Sequence, residues 1–421
     1  MTSKLFTPLT LPNQVIIPNR LCKAAMEENL SDQGQLPGPR LYTLYKAWSE
    51  GGAGLLLTGN VMISPDALTG PGGVVLENAE HLDCFRKWAA AGTSNGNELW
   101  MQINHPGRQV YEAMGEQALS PSGIALNIPG FSKMFAQPKT MSEHDILDII
   151  ERFTNTASLA EQAGFTGVQI HAAHGYLLSQ FLSPLVNQRN DQWGGSLENR
   201  ARIIFKVVQS IRKRVSSNFC VSIKLNSADF QKGGFSADDS KWLVEKLNDY
   251  QLDLIELSGG SYESPAMSGG AVDPNSGNHT TKREAYFIDF ARDISQVCST
   301  PIMVTGGITK RSVAEDALNE QAGISIDMLG IARAFAYEPA LPKKWQQDQS
   351  QKITLPTVEW KNKTLAALAS MAITKAQLTR MASGKSPRPN MLAILALIKG
   401  QLKTKLRTRQ YRAWREEHDA K

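Results

Sequence analysis

Eight short apolar runs, each followed by a longer stretch of helical character, divide the first 345 residues of this chain. They lie at 20–25, 54–58, 99–103, 168–170, 220–225, 253–257, 302–304 and 327–329. The second contains Leu55-Leu56-Leu57, continuous rather than alternating, as expected of a parallel strand covered on both faces. Strand and helix in alternation leave two architectures, a closed barrel or an open doubly wound sheet. The open sheet wants a GxGxxG turn after its first strand, and none follows residues 20–25. The pattern therefore predicts an α/β chain folded as a (β/α)8 TIM barrel. Residues 6–17 read as two short strands about Leu11-Pro12-Asn13, an N-terminal β-hairpin of the kind that plugs one barrel end. The expected organisation is a barrel over 1–345 and a helical, basic C-terminal extension over 346–421.

A chain of 421 residues is long enough for both parts, since such barrels take about 250 residues before insertions. Hydrophobic residues at 42% and charged ones at 20% exclude disorder over most of the length. Cys22, Cys84, Cys220 and Cys298 are widely spaced with no CxxC pair, which argues against a zinc ribbon or an iron–sulfur cluster. The opening MTSKLFTPLTLPNQ lacks the apolar core of a signal peptide, and no run approaches the ~18 apolar residues of a membrane span. A cytoplasmic protein with reduced thiols is expected.

The most reactive stretch runs from Gly164 to Arg202. A short strand delivers His171 and His174, with Tyr176 just beyond, so three groups able to donate a proton or polarise an oxygen fall within six positions. A polar loop then leads through Trp193-Gly194-Gly195 to a helix with Ser196 as its N-cap. The histidines admit three readings: half of a metal site, a satisfied structural pair, or two donors to a carbonyl oxygen. No HExxH and no carboxylate lies within the cluster, which counts against the metal. Glycines at 259–260, 306–307 and 330 end the last three strands, with Arg333 close behind. Glycine lets backbone N–H groups approach a phosphate, and the loops after strands 7 and 8 are its usual site in such barrels.

HAAHGYLLSQFLSP followed by NxRxDxWGGSxENR resembles the signature of the Old Yellow Enzyme family of FMN-dependent ene reductases. Gln102 in its QxxHxGR setting, and DMLGIARAFAYEPALPKK, resemble further segments of that family. The resemblance spans 1–345 and implies FMN across the carboxyl end of the barrel. It sets Ala24, Ala25 and Met26 against the flavin ring and Gln102 on its pyrimidine edge. Lys224, where the family usually has Arg, falls beside N1 and O2, and Gly306, Gly307, Gly330, Ala332 and Arg333 surround the phosphate. Asn60, just past the second strand, and His171 complete the expected flavin contacts. Lys supplies the charge of Arg without its planar fork. The plainer reading of Lys224 is a lysine paired with a barrel carboxylate.

The activity so implied passes hydride from NADH or NADPH through flavin to the C=C bond of an α,β-unsaturated carbonyl or nitro compound. His171 and His174 would donate to the substrate oxygen, and Tyr176 would protonate the α-carbon. Two rivals are another FMN barrel oxidoreductase, amine dehydrogenase-like or an NADH oxidase, and a non-catalytic flavoprotein acting through its basic tail. The chain departs from the family at Glu27, Glu28 and Asn29, where relatives carry Thr or Cys and then Tyr; this bears on the flavin potential and one pocket wall. Glu27 is expected to face away from the ring. The long loop over 111–140 is expected to set substrate selectivity.

Charge is unevenly shared. Residues 346–421 hold 15 Lys and Arg against 5 Asp and Glu, net +10, which leaves 30 against 35, net −5, in the rest. Such asymmetry marks a tail with its own contact, and no nucleic acid is expected as partner. Past the hinge-like run from Ser383 to Asn390, Met391, Leu392, Leu395, Ile398, Leu402 and Leu406 form one apolar helix face, and Lys and Arg crowd the second half. Gly400 is a weak point in that helix. One reading docks the apolar face on the barrel or on a second subunit of a homo-oligomer, its charges meeting the acidic body. The other lays 390–415 on an anionic membrane as a peripheral contact.

Overall fold

The computed structural model describes residues 3–259, 263, 290–306, 308–319, 326–347 and 353–419. Its eight barrel strands are β1 (Leu21–Lys23), β2 (Leu55–Leu57), β3 (Glu98–Asn104), β4 (Gly167–Ala172), β5 (Cys220–Asn226), β6 (Leu254–Ser258), β7 (Ile302–Gly306) and β8 (Met328–Ile331). They pair in parallel in that order, and β8 returns to β1, Leu329 opposite Leu21, to close the (β/α)8 barrel. Gly260 and Gly307 lie outside the described residues.

Side-chain alternation divides the lumen into layers. At one end Cys22, Leu55, Leu57, Trp100, Cys220, Leu254, Met303 and Met328 pack against Leu9, Leu11 and Ile17 of the N-terminal hairpin, whose strands Leu9–Thr10 and Ile16–Ile17 pair antiparallel. The hairpin closes the apolar floor of the barrel, as the sequence predicts. Two residues further along several of the same strands the lumen turns polar: Trp100 gives way to Gln102, Gly167 to Gln169, Leu254 to Glu256 and Met303 to Thr305. A polar layer so deep requires partners for every group. That requirement builds the site.

The outer shell includes α1 (Pro39–Glu50), α2 (Leu82–Gly92), α3 (Glu143–Gln162), α4 (Leu177–Leu182), α5 (Leu197–Arg214), α6 (Ala237–Leu247), α7 (Arg311–Leu318), α8 (Arg333–Tyr337) and α9 (Leu341–Gln347). Ser196 caps α5 as expected, its side chain accepting from the Asn199 N–H, while α3 and α6 begin with reciprocal Ser–Asp capping boxes. The loop over 111–140 is tied down by a bridge from Tyr111 to Phe135, whose rings stack 5.1 Å apart.

The extension supplies α10 (Lys363–Met381) and α11 (Ala393–Asp419), packed on each other and on the barrel. Here the reading that docks the apolar face on the barrel is corrected. Leu392, Leu395, Ile398, Leu402 and Leu406 are 48–68% exposed, and α11 meets the barrel with its opposite side. Tyr411 is fully buried, its hydroxyl donating to Pro65 O at 2.8 Å and lying 3.0 Å from Glu116 Oε1. Arg415 pairs with Glu116 at 2.9 Å, and His418 lies 3.1 Å from Glu77. The physical reason is charge. The body is acidic, so cationic and hydroxyl-bearing side chains gain partners there that leucines cannot. Gly400 has a role in the crossing: a Cβ placed on it would lie 3.8 Å from Ala372 Cβ of α10.

Candidate active site at the carboxyl end of the barrel

Glu256, buried on β6, organises the polar layer. Its Oε1 lies 2.8 Å from Lys224 Nζ on β5 and accepts from Thr305 Oγ1 at 2.6 Å, while its Oε2 accepts from Gln169 Nε2 at 2.8 Å. A carboxylate only accepts, so Gln169 must turn its amide nitrogen toward it and its oxygen toward Gln102. Gln102 then donates from Nε2 to Gln169 Oε1 at 2.7 Å, and its own Oε1 accepts from no described residue. One carboxylate thus fixes the orientation of two amides. The plainer of the two readings of Lys224 holds, since it is a lysine paired with a barrel carboxylate. Lys224 and Glu256 are each at most 3% exposed.

His171 stands opposite Lys224 in the β4–β5 register. Its Nδ1 accepts from the Ala173 N–H at 3.2 Å, which places the proton of the neutral ring on Nε2. Burial, then His174 and Lys224, hold its pKa well below the ordinary histidine value. His174 is held in the left-handed region at φ 60, its backbone N–H donating to Asn226 Oδ1 at 3.0 Å and its Nε2 lying 2.9 Å from Ser258 Oγ. Burial and the Lys224 charge push its pKa well down too, so both imidazoles are neutral near pH 7. Tyr176 sits edge-on to His171, ring centroids 4.8 Å apart, and His171 and His174 are 5.1 Å apart. The three sequence-predicted groups form one cluster beside Lys224.

At the end of β1, Ala24, Ala25 and Met26 lead to two acids with separate duties. Glu27 takes a hydrogen bond from Thr69 and lies 3.6 Å from Lys375 of α10. It is no bare anion. Glu28 is buried, receives the Tyr45 hydroxyl and the Gly59 N–H (3.2 Å), and lies 3.7 Å from Lys23 Nζ. Burial raises the Glu28 pKa against the opposing pull of Lys23, and lowers that of Lys23 to about 8. On the far side of the barrel Gly306 and Gly330 end the neighbouring strands β7 and β8, with Ala332 and the exposed Arg333 at the start of α8. A Cβ on Gly330 would fall 2.0 Å from Thr305 Oγ1, whereas one on Gly306 would meet no atom of the described residues within 4 Å. The first glycine is required by packing and the second opens on space.

These residues fit the FMN expected from the sequence. Among the described residues Asn60 Oδ1, which is buried, has no partner, and Gln102 Oε1 is an acceptor held in a fixed direction. Gly306 leaves room for a phosphate at a backbone edge. Gln169, Glu256, Thr305 and Ser258 were not singled out in the sequence. The available signal was a polar residue in an otherwise apolar strand, two positions from one already suspected: Gln169 before His171, Glu256 before Ser258-Gly259.

A model described as the NADH:flavin oxidoreductase / NADH oxidase family matches residues 4–352. The chain is similar to the NADH-dependent flavin oxidoreductase iliE of Hypocrea jecorina, 35% identical over 353 residues that cover 80% of this chain and 87% of that protein. It is 36% identical over 339 residues to the NADH-dependent flavin oxidoreductase nadA of Aspergillus parasiticus, covering 77% of this chain and 74% of the other. Among solved structures, the old yellow enzyme homologue from Zymomonas mobilis has the same fold, with a TM-score of 0.68 at 21% identity over 83% of this chain and 94% of that one.

Proposed function

The chain belongs to the NADH:flavin oxidoreductase / NADH oxidase family, and from that premise we propose that it is an FMN-dependent ene reductase acting on alkenes conjugated to a carbonyl or nitro group. FMN, when bound, would supply the redox chemistry that links NADH or NADPH to the β-carbon of the alkene. Gln102, its Nε2 fixed by Gln169, would offer Oε1 to the N–H of the flavin pyrimidine, and Lys224 would bring a positive charge that Glu256 partly offsets. Gly306, Gly330, Ala332 and Arg333, with Gly307 outside the described residues, would hold the phosphate, Asn60 and His171 would contact the ring system, and Ala24, Ala25 and Met26 would back it. His171, with its proton on Nε2, donates to the substrate oxygen alongside His174, which draws electrons from the alkene. Neutral rings suit this duty, because they donate without moving a formal charge into the buried pocket. Tyr176, next to His171, gives its proton to the α-carbon. The catalytic unit is residues 1–345, to which 346–421 is appended.

The observation that carries the reading is the His171–His174–Tyr176 cluster, with both imidazoles neutral and one proton assigned to Nε2. Anaerobic NADH consumption with cyclohexenone, compared with trimethylamine as the substrate of an amine dehydrogenase, tests it. The proposal expects turnover of the enone and none of the amine. Amine turnover without enone turnover would replace it with the amine dehydrogenase reading. Failure of both substrates would favour a plain NADH oxidase or a non-catalytic flavoprotein.

A further inference from the structure

Helix α11 is amphipathic in an inverted sense. At 100° per residue, Leu392, Leu395, Ile398, Leu402 and Leu406 fall within an arc of about 120°. All five are 48–68% exposed. The opposite arc carries Arg407, Tyr411 and Arg415. Tyr411 and Arg415 are fixed to Pro65 and Glu116, and Arg407 Nη2 donates to Ser31 O at 3.4 Å. The outward face is therefore preformed and held in one orientation. Lys399, Lys405 and Arg409, all exposed, lie within that apolar arc or at its edge.

We propose that this face is a docking surface for an anionic lipid bilayer. The charges select the occupant. From residue 360 to 415 the sequence contains no Asp or Glu. A two-fold pairing of α11 through its leucine face would bring rows of Lys and Arg together, while the acids of that helix lie only past the leucines, at Glu416, Glu417 and Asp419. An anionic membrane answers them directly. The leucines enter the boundary of headgroups and acyl chains while the lysines and Arg409 reach back to the phosphates. Each cation near such a surface is worth roughly a fivefold gain in partition, so three contribute on the order of 100-fold at low salt. The gain falls as salt shortens the screening length. Because α10, which packs on α11, carries Lys375 to Glu27 at the end of β1, lipid contact also falls near the rim of the barrel mouth.

The test uses the full-length holoenzyme and sucrose-loaded vesicles of phosphatidylcholine with and without a third of phosphatidylserine, at 50 mM and 500 mM salt. Sedimentation with the serine-containing vesicles at 50 mM salt, and release at 500 mM, is expected. The variant Ile398→Ser/Leu402→Ser changes only exposed positions, so it keeps its flavin and its NADH turnover but sediments at least tenfold less. Lys399→Glu/Lys405→Glu/Arg409→Glu loses anionic-vesicle binding as well. Full-length protein that stays in the supernatant overturns the proposal, and so does an Ile398→Ser/Leu402→Ser protein that sediments like the wild type. A wild-type dimer in sedimentation equilibrium that the serine variant converts to monomer, without lipid binding in either, assigns the face to a second copy instead.

Discussion

Replacing Glu256 by Gln isolates what holds the polar layer together. The side chain keeps its shape, but Lys224 Nζ, 2.8 Å from Oε1 and with its side chain only 3% exposed, loses its counter-charge. A Gln also has one acceptor oxygen where the carboxylate had two, so Lys224, Gln169 and Thr305 can no longer all be answered. Leaving one member of a buried ion pair alone costs about 3–5 kcal/mol. With an unfolding entropy of roughly 2.1 cal/mol/K per residue, a chain of this length loses about 3–6 °C in Tm. Thermal unfolding followed by tryptophan fluorescence measures the drop. The double variant Lys224→Met/Glu256→Gln removes the stranded cation while keeping an acceptor oxygen for Thr305, and should recover part of that loss. A Glu256→Gln protein that melts within about 1 °C of wild type would refute the buried pair as the organiser of the layer. So would a double variant no more stable than the single one.

Acid should destabilise the chain through its buried neutral histidines. Burial holds His105 at about 4 in the folded state, so as pH falls the unfolded chain takes up the proton first. Its stability is complete above about pH 6.5 and is lost toward pH 4, with about 2 kcal/mol gone by pH 5. His171 and His174 shift in the same direction and add to the loss. Urea midpoints at pH 7.5 and 5.0 should differ less in His105→Gln than in wild type, and an equal difference contradicts the assignment. Gly330→Ala forces a Cβ to within 2.0 Å of Thr305 Oγ1, costs about 1–3 kcal/mol, and should lower the flavin-to-protein absorbance ratio of purified protein. A full flavin complement would show that β8 can yield. Gly400→Ala is the reverse case, since the added methyl meets Ala372 at an ordinary 3.8 Å. It should stabilise α11 by about 1 kcal/mol and slow amide exchange there about fivefold, whereas faster exchange would mean that the helices cannot keep their spacing.

The barrel was legible because parallel strands buried on both faces are written as continuous apolar runs such as Leu55-Leu56-Leu57. Ser196 announced its helix because a cap is a local interaction. The His171, His174 and Tyr176 cluster is local as well, spanning six positions at one strand end. Gln169 and Glu256 stayed hidden for the opposite reason: the two are 87 positions apart, and only closure of the barrel brings them within 2.8 Å. Lys224 was legible as a buried cation in want of a carboxylate, but which carboxylate was not, since Glu256 lies on the next strand. In the extension, periodicity gave α11 and its apolar face correctly. It could not give the docking side, which is decided by Pro65, Glu77 and Glu116, some 300 positions earlier.

The central claim is that the opening cluster serves alkene reduction and not flavin reduction, and the two half-reactions of Tyr176→Phe under argon separate them. In stopped flow, reduction of the flavin by NADH should match wild type. Reoxidation by cyclohexenone should slow by roughly 10²- to 10⁴-fold, the range for loss of a sole proton donor. Equal slowing of both half-reactions, or reoxidation at the wild-type rate, would contradict the role of Tyr176 and with it the assignment of the cluster.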